Sequence, residues 1–311
     1  MKAFVLTTPG GVENLQLQEL DKPVLQEGEV LVQVRALSIN PVDVKTRQGK
    51  GVYGRIKDQS PLIPGWDISG VVTESRSSLF KTGDEVFGMV NFPGHGKAYA
   101  EYVAAPADQL ALKPANISHE EAAAATLAAL TAYQALTEKA TVKAGQRVLI
   151  HAAAGGVGHF AVQIARHIGA YVVGTASEKN KSFVLGLGAD EYLNYHDYDW
   201  KNSTERFDFI LDTIGGDNIE YSLAVAKPGS TLISIPSGMN EQLTEKAKQQ
   251  GVNGFFFLVQ SNGKDMNAIA SLLEKGIVKA HVSKTFAFDE IGEAHKQVES
   301  GRSVGKVVVR G

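Results

Sequence analysis

Between residues 147 and 258 the chain repeats one alternation, a short and mostly apolar run followed by a helical pattern. The runs are "RVLIHA", "AYVVGTA", "EYLN", "FDFILDT", "STLISI" and "GFFFLV". Strands that alternate with helices in this way build a parallel sheet covered by helices on both faces. The first strand-to-helix junction reads "HAAAGGVGHF", and Val157, Phe160, Ala161, Ile164, Ala165 and Ile168 then recur at helical spacing until Gly169 ends the helix. Its glycines therefore lie between strand and helix. Ala153-x-Gly155-x-x-Gly158 fits the dinucleotide fingerprint with alanine in place of the first glycine. Gly155 lets the backbone approach a pyrophosphate, Gly158 lets the helix pack on the strand, and the helix N-terminus attracts the anion. The backbone of Ala154, Gly155, Gly156, Val157 and Gly158 is the expected phosphate cradle. A tight turn whose glycines are only steric is the alternative.

Which dinucleotide is bound is decided at the end of the second strand of this unit, where proteins that bind NAD place an acidic residue on the ribose hydroxyls. Here the strand ends "VVGTASEKNKSF": Thr175 and Ser177 occupy that zone, Glu178 stands one step beyond, and Lys179 and Lys181 follow. Hydroxyls with nearby lysines suit a 2′-phosphate, whereas a carboxylate repels it. NADPH is the expected cofactor, and Glu178 keeps NADH open.

Residues 1–117 have a different texture. Short β-like runs such as "KAFVLT", "EVLVQVRALSIN" and "DISGVVTES" are cut by Gly and Pro clusters, and Val30, Val32, Val34 and Ala36 alternate down one face. A β-rich domain is expected there. "SHEEAAAATLAALTAYQALTEKA" then opens with a capping-box spacing, Ser118 and Glu121, and reads as one long helix that heads a second domain over 118–259. The tail 260–311, ending in the strand "GKVVVRG", is expected to return to the first domain.

Composition narrows the function. At 311 residues two domains are the natural expectation. A formal charge of −3 argues against nucleic acid and anionic membrane surfaces, which reward a basic face. The chain has no cysteine, which removes thiolate nucleophiles, disulfides and sulfur-ligated zinc, and no run reaches the length of a membrane span. A soluble cytoplasmic protein is expected.

The ordered motifs "INPVDVKTRQG", "IPGWDISGVV", "KTGDEVFG", "AYAEYV", "LTAYQAL", "HAAAGGVGHFAVQIA", "TASEKNKSFVLGLGADEYLNY", "LDTIGG" and "ESGRSVGKVVV" resemble the zinc-independent quinone oxidoreductase branch of the medium-chain dehydrogenase/reductase superfamily, which includes ζ-crystallin and the plant enone and alkenal reductases. The resemblance covers essentially the whole chain. It implies an α/β protein with a GroES-like β-rich catalytic domain and a Rossmann domain built on a doubly wound, six-stranded parallel sheet. Where zinc-dependent relatives carry catalytic Cys, His and Cys, this sequence has Asn40, Trp66 and Leu127, and the carboxylates of Asp43 and Asp67 alone make a poor zinc site. No metal is expected.

The resemblance also implies site residues. Asn40 is expected to line the nicotinamide cleft and donate its amide to the acceptor oxygen or the nicotinamide ribose, although a turn role before Pro41 is open to it. Lys45 matches a lysine of the enone reductases, to stabilise enolate charge or hold ribose, against a snorkelling surface lysine. Tyr53 is expected to cover the pocket or donate its hydroxyl. Thr131 in "LTAYQAL", Tyr195 in "LNYHD", Thr213, Ile214 and Gly215 in "LDTIGG", Ile235, Phe257 and Lys306 are carried over as cofactor contacts. His95, His151 and His159 read as structural or solvated. The expected reaction is hydride transfer from NADPH to a small-molecule quinone or α,β-unsaturated carbonyl compound. A 2-enoyl-thioester reductase and a non-catalytic NADPH-binding structural protein or redox sensor are the rivals. The apolar edge run at residues 255–257 motivates a homodimer.

Overall fold

In the computed structural model, which describes residues 1–311, the amino-terminal part forms β1 (Lys2–Leu6), β2 (Leu15–Glu19), β3 (Glu29–Ile39), β4 (Asp67–Ser75), β5 (Glu85–Met89), β6 (Tyr102–Pro106) and β7 (Leu110–Leu112). The alternating segment forms β8 (Arg147–Ile150), β9 (Tyr171–Ala176), β10 (Glu191–Asn194), β11 (Phe207–Asp212), β12 (Ala226–Ser234) and β13 (Asn253–Phe256), and the tail adds β14 (Val282–Phe286) and β15 (Lys306–Arg310). Two units result, residues 1–130 with 259–311, and residues 131–258.

The first unit is organised by β3. One edge of this strand pairs antiparallel with β6 over Glu29–Gln33 and with β15 over Ala36–Ile39, while its other edge takes β4. The chain's last strand is thus laid beside its third, which is why the tail belongs to this unit. The helix His119–Ala124 begins at Ser118, whose hydroxyl accepts from Glu121 N at 3.1 Å while the Glu121 carboxylate accepts from Ser118 N at 2.8 Å. Its small side chains let it lie close to the sheet, and Ala123 and Ala124 are fully buried with Ala36 and Val308.

Two expectations change here. The segment assigned to the head of the second domain falls in the first unit as far as Leu130, and Ala123 and Ala124 are buried on that unit's sheet, while its remainder from Thr131 lies in the second unit. Nor is it one helix: it stops at Ala125, a second helix runs Leu127–Tyr133, and a π-helical turn spans Gln134–Lys139. The break frees the Leu127 amide, which donates to the buried Asp67 carboxylate at 3.1 Å. A buried charge must find donors, and this need overrides alanine's helix propensity.

The second unit holds a parallel sheet in the order β10-β9-β8-β11-β12-β13. Numbered along the chain that order is 3-2-1-4-5-6, the doubly wound Rossmann arrangement, and it reverses between β8 and β11. Its central strands are buried on both faces: the consecutive pairs Val148 and Leu149, Val172 and Val173, Ile210 and Leu211, and Leu232 and Ile233 are all 0% exposed. Each such side chain contributes roughly 1.5–3 kcal/mol. The helix Gly158–Ile168 buries Phe160, Ala161, Ile164 and Ala165 and ends at Gly169 with φ 91°, a left-handed cap that glycine adopts without strain.

Candidate active site

The parallel register brings the cofactor candidates of the second unit to one edge. Ala176 lies beside Asn194, Ile150 beside Gly174 and Leu211, Asp212 beside Ser234, and Ser234 beside Phe256. The residues that follow these strand ends are the glycine turn, Ser177, Tyr195, Thr213, Ile235 and Phe257. All stand at the carboxyl edge, where open α/β sheets bind ligands, and the glycine turn sits where the strand order reverses.

That turn is tighter than the glycine pattern alone suggests. Ala152, not a glycine, takes the left-handed conformation, with φ 46°. A Cβ on Gly158 would lie 2.2 Å from the Ala152 carbonyl oxygen and 2.8 Å from Ala153 Cα, so the helix packs directly on the turn's backbone. Gly155 has more room, 3.1 Å to the same oxygen. No side chain caps the helix that starts at Gly158, while within the turn Gly155 N donates to Ala152 O at 2.8 Å and His159 N to Gly155 O at 3.1 Å. Ala154 is buried, and Gly155, Gly156 and Val157 are partly exposed, as a backbone cradle for an anion requires.

Beneath the turn lies a polar support that sequence reasoning missed. The Thr175 hydroxyl accepts from Ala152 N at 3.2 Å and lies 3.3 Å from His151 Nδ1; Ser222 Oγ lies 3.1 Å from His151 Nε2 and donates to Asn218 O at 2.8 Å. With the Ser222 proton spent on Asn218, the imidazole carries its hydrogen on Nε2 and accepts from Thr175 through Nδ1. Burial pulls His151 down to about 4, with Asp212 opposing, so the ring is neutral. Asp212 is fully buried and accepts from Ile214 N, Gly215 N, Asn218 Nδ2 and Ser234 Oγ at 2.7–3.1 Å, which fixes the turn carrying Thr213, Ile214 and Gly215. Thr175 is therefore not a phosphate ligand on the surface: it is 0% exposed and its oxygen serves the turn.

The remaining residues of the 2′-phosphate zone do come together. Lys179 and Lys181 are exposed and Ser177 is partly so. Glu178 lies among them, 3.8 Å from Lys181 and accepting from the Tyr192 hydroxyl at 3.3 Å. Tyr195 is exposed and its ring rests on His196, with centroids 4.1 Å apart. Thr131 is buried on the helix Leu127–Tyr133, and Phe257 is buried with its ring centroid 5.8 Å from Lys139 Nζ.

The first unit holds, by itself, a buried network around Asn40, which precedes the helix Pro41–Arg47. Asn40 Nδ2 donates to Asp67 Oδ2 at 2.7 Å, Ser38 Oγ donates to the same oxygen at 3.0 Å, and Leu127 N donates to Asp67 Oδ1 at 3.1 Å. The ammonium of Lys306 donates to Asn40 Oδ1 and to Ile39 O, and lies 3.9 Å from Asp67 Oδ2. Lys306, 3% exposed, is as buried as Asn40, and its Nζ is turned to Asn40 and Asp67. Asp43 completes the helix start by accepting from Asn40 N at 2.7 Å. Burial, reinforced by Asp67, raises Asp43 to about 7. Tyr99, whose hydroxyl lies 2.8 Å from His295 Nε2, is held well above the ordinary phenol range by burial and then by Asp43.

The positions that hold zinc in zinc-dependent relatives converge here on different chemistry. Asn40 and the Leu127 amide meet at Asp67, and Trp66 turns its indole to Gly94 O at 2.7 Å. The carboxyls of Asp67 and Asp43, one amide and the amine of Lys306, lowered by burial against the opposing pull of Asp67 and Asp43, do not make a zinc site, because no imidazole or thiolate is among them. Lys45 is half-buried on the Asn40 helix, where burial and then Lys50 hold it below the usual lysine value. Tyr53 lies apart from the network's hydrogen bonds, lining an open groove of about 380 Å³ with Pro9, Gln18, Lys57 and Leu62. His95 accepts from Ile63 N at 3.1 Å through Nε2 and is lowered to about 4 by burial, then by Lys97, which makes it a neutral loop anchor.

Comparison with known proteins agrees with this architecture. Residues 26–115 match the alcohol dehydrogenase GroES-like domain, and residues 187–309 match the zinc-binding dehydrogenase domain. A 2-methylene-furan-3-one reductase of Solanum lycopersicum is 35% identical over 321 aligned residues, spanning 99% of this chain and 79% of that protein. A chloroplastic NADPH-dependent alkenal/one oxidoreductase of Arabidopsis thaliana is 33% identical with the same coverage, 99% and 79%. The solved quinone oxidoreductase of Coxiella burnetii superimposes with a TM-score of 0.94 at 36% identity, covering 100% of this chain and 99% of that one.

Proposed function

Since the chain belongs to the medium-chain dehydrogenase/reductase family, in its quinone oxidoreductase and enone reductase branch, we propose that it is an NADPH-dependent oxidoreductase that reduces a quinone or an α,β-unsaturated carbonyl compound without a metal. The observation that carries this reading is the Asn40 network. Where zinc relatives place a ligand, this chain places a buried amide clamped between a cation and a carboxylate.

When bound, NADPH supplies the hydride, which leaves the protein to bind, orient and meet charge. The glycine turn at the switch point offers backbone amides to the pyrophosphate. Ser177, Lys179 and Lys181 offer a hydroxyl and two cations to the 2′-phosphate, and the Arabidopsis relative named for NADPH supports that choice. As hydride reaches the acceptor, negative charge grows on its oxygen, and a preorganised donor stabilises that charge more than it stabilises the ground state. Asn40 is that donor. Lys45, half-buried on the helix that Asn40 precedes, is the second candidate to meet that charge.

The reading includes a homodimer. β13 is the free edge of the parallel sheet and carries Phe256, 40% exposed, so pairing with a second copy covers an apolar edge. A monomeric mass in solution removes that part. The catalytic part is tested by Asn40→Ala, for which kcat falls by about 10²-fold while NADPH affinity is retained. An unchanged kcat takes Asn40 out of the mechanism.

A further inference from the structure

The last strand of the chain brings a lysine to the one amide on which the proposed reduction depends. β15 pairs antiparallel with β3 so that Val307 lies beside Ile39, which sets Lys306 next to Asn40 across 266 residues of sequence. On the other edge of β3, Ser38 lies beside Asp67. Asn40 therefore ends a strand whose two neighbours deliver a cation and a carboxylate.

A carboxamide has two faces of similar shape and opposite polarity, and only one arrangement suits this position. Lys306 Nζ, which can only donate, takes the oxygen; Asp67 Oδ2, acting as a carboxylate, takes one hydrogen of the nitrogen at 2.7 Å. The reversed amide would set its NH2 against an ammonium and its oxygen against a carboxylate. Both contacts would be repulsive in a place where Asn40, Asp67 and Lys306 are each 3% exposed or less. The amide nitrogen has a second hydrogen beyond the Asp67 bond, on a side chain that also faces Asp43.

We propose that Lys306 is the positioning residue of the site: by holding the Asn40 oxygen while Asp67 holds its nitrogen, it fixes Asn40 as a hydrogen-bond donor toward the acceptor oxygen. The assignment rests on the reading that Asn40 meets the acceptor. It gives Lys306 a part in catalysis without contact to substrate or cofactor. The ammonium also draws electron density toward the amide oxygen, which makes the remaining N–H a stronger donor.

The test is a double-mutant cycle on kcat, using NADPH with whichever of an aromatic quinone and a simple enone the wild type reduces faster. Its corners are wild type, Lys306→Met, Asn40→Ala and the double variant, with NADPH affinity and melting temperature measured for each. Lys306→Met is expected to lower kcat by about ten-fold or more while NADPH affinity stays put, and to add no further loss in the Asn40→Ala background. Lys306→Arg, which still donates to the amide oxygen, is expected to recover part of kcat. If Lys306→Met does not fold, Lys306→Arg takes its place in the cycle, since the wider guanidinium perturbs the amide while keeping the charge. A kcat loss of the same factor in both backgrounds overturns the proposal, because Lys306 would then act independently of Asn40. Weakened NADPH binding at unchanged kcat overturns it too, by making Lys306 a cofactor ligand. Absence of turnover by the wild type with both acceptors removes the functional reading itself, and the proposal with it, before any variant is compared.

Discussion

Replacing Gly158 by alanine separates the two tasks of the glycine turn. The added Cβ would sit 2.2 Å from the Ala152 carbonyl oxygen, roughly 1.2 Å short of an ordinary contact, and 2.8 Å from Ala153 Cα. Both neighbours are backbone and neither can rotate away, so the turn and the helix Gly158–Ile168 must part. Forcing a group into packed space typically costs about 1–3 kcal/mol. The same parting would shift the Gly156 and Val157 backbone, the proposed pyrophosphate cradle. At about 2 kcal/mol, NADPH binding weakens about 30-fold, and thermal unfolding moves down with it. Gly155→Ala is the control: its Cβ meets the same oxygen at 3.1 Å, so a shift of a few tenths of an ångström relieves it. That variant is expected to keep nearly the wild-type melting temperature and still lose cofactor affinity, as the proposed role of this backbone as a phosphate cradle requires. Titration of NADPH fluorescence with parallel thermal melts reads both effects. Wild-type affinity and melting temperature in Gly158→Ala would refute the packing argument. Unchanged NADPH affinity in Gly155→Ala would refute the cradle.

Lys179→Glu combined with Lys181→Glu should weaken NADPH at least about ten-fold more than NADH, since hydrogen bonds to charged groups are worth about 1.5–3 kcal/mol each; equal losses would mean that the 2′-phosphate is read elsewhere. Glu178→Gln, which removes the carboxylate beside Lys181, should shift preference further toward NADPH, and a shift toward NADH would contradict this account of the zone. Asp43 is raised to about 7 from an ordinary 3.8, so the folded protein holds a proton that the unfolded chain releases between those values. Its stabilising contribution is complete below about pH 4 and declines as pH rises to about 7. Asp43→Asn should therefore gain melting temperature relative to wild type on going from pH 5 to pH 8. A difference that does not change with pH would show that Asp43 is not held protonated.

The alternation that begins at "RVLIHA" was legible because each strand of a parallel sheet is buried on both faces and so reads as a short apolar run. The glycine turn and Ser177 followed from their places at strand ends, whereas Tyr195, Thr213, Ile235 and Phe257 came from the family resemblance. The roles of Thr175 and Ala152 were less accessible. A hydroxyl at a strand tip suits a phosphate and a buried histidine equally, and only the packing of His151 decides between them. The break at Ala125 could not be read from an alanine run either, because it serves the carboxylate of Asp67, which lies 60 residues away in sequence. Lys306 illustrates the same limit. Its link to Asn40 depends on the register between the chain's third and last strands, and no local pattern in "GKVVV" encodes that register.

Metal-free reduction by NADPH is measured as the rate of NADPH oxidation by the purified, chelator-treated protein with an aromatic quinone and with a simple enone. Turnover of at least one acceptor that persists in chelator, and is faster with NADPH than with NADH, is the predicted result. NADPH binding without reduction of either acceptor, or turnover that chelator abolishes, would contradict the account.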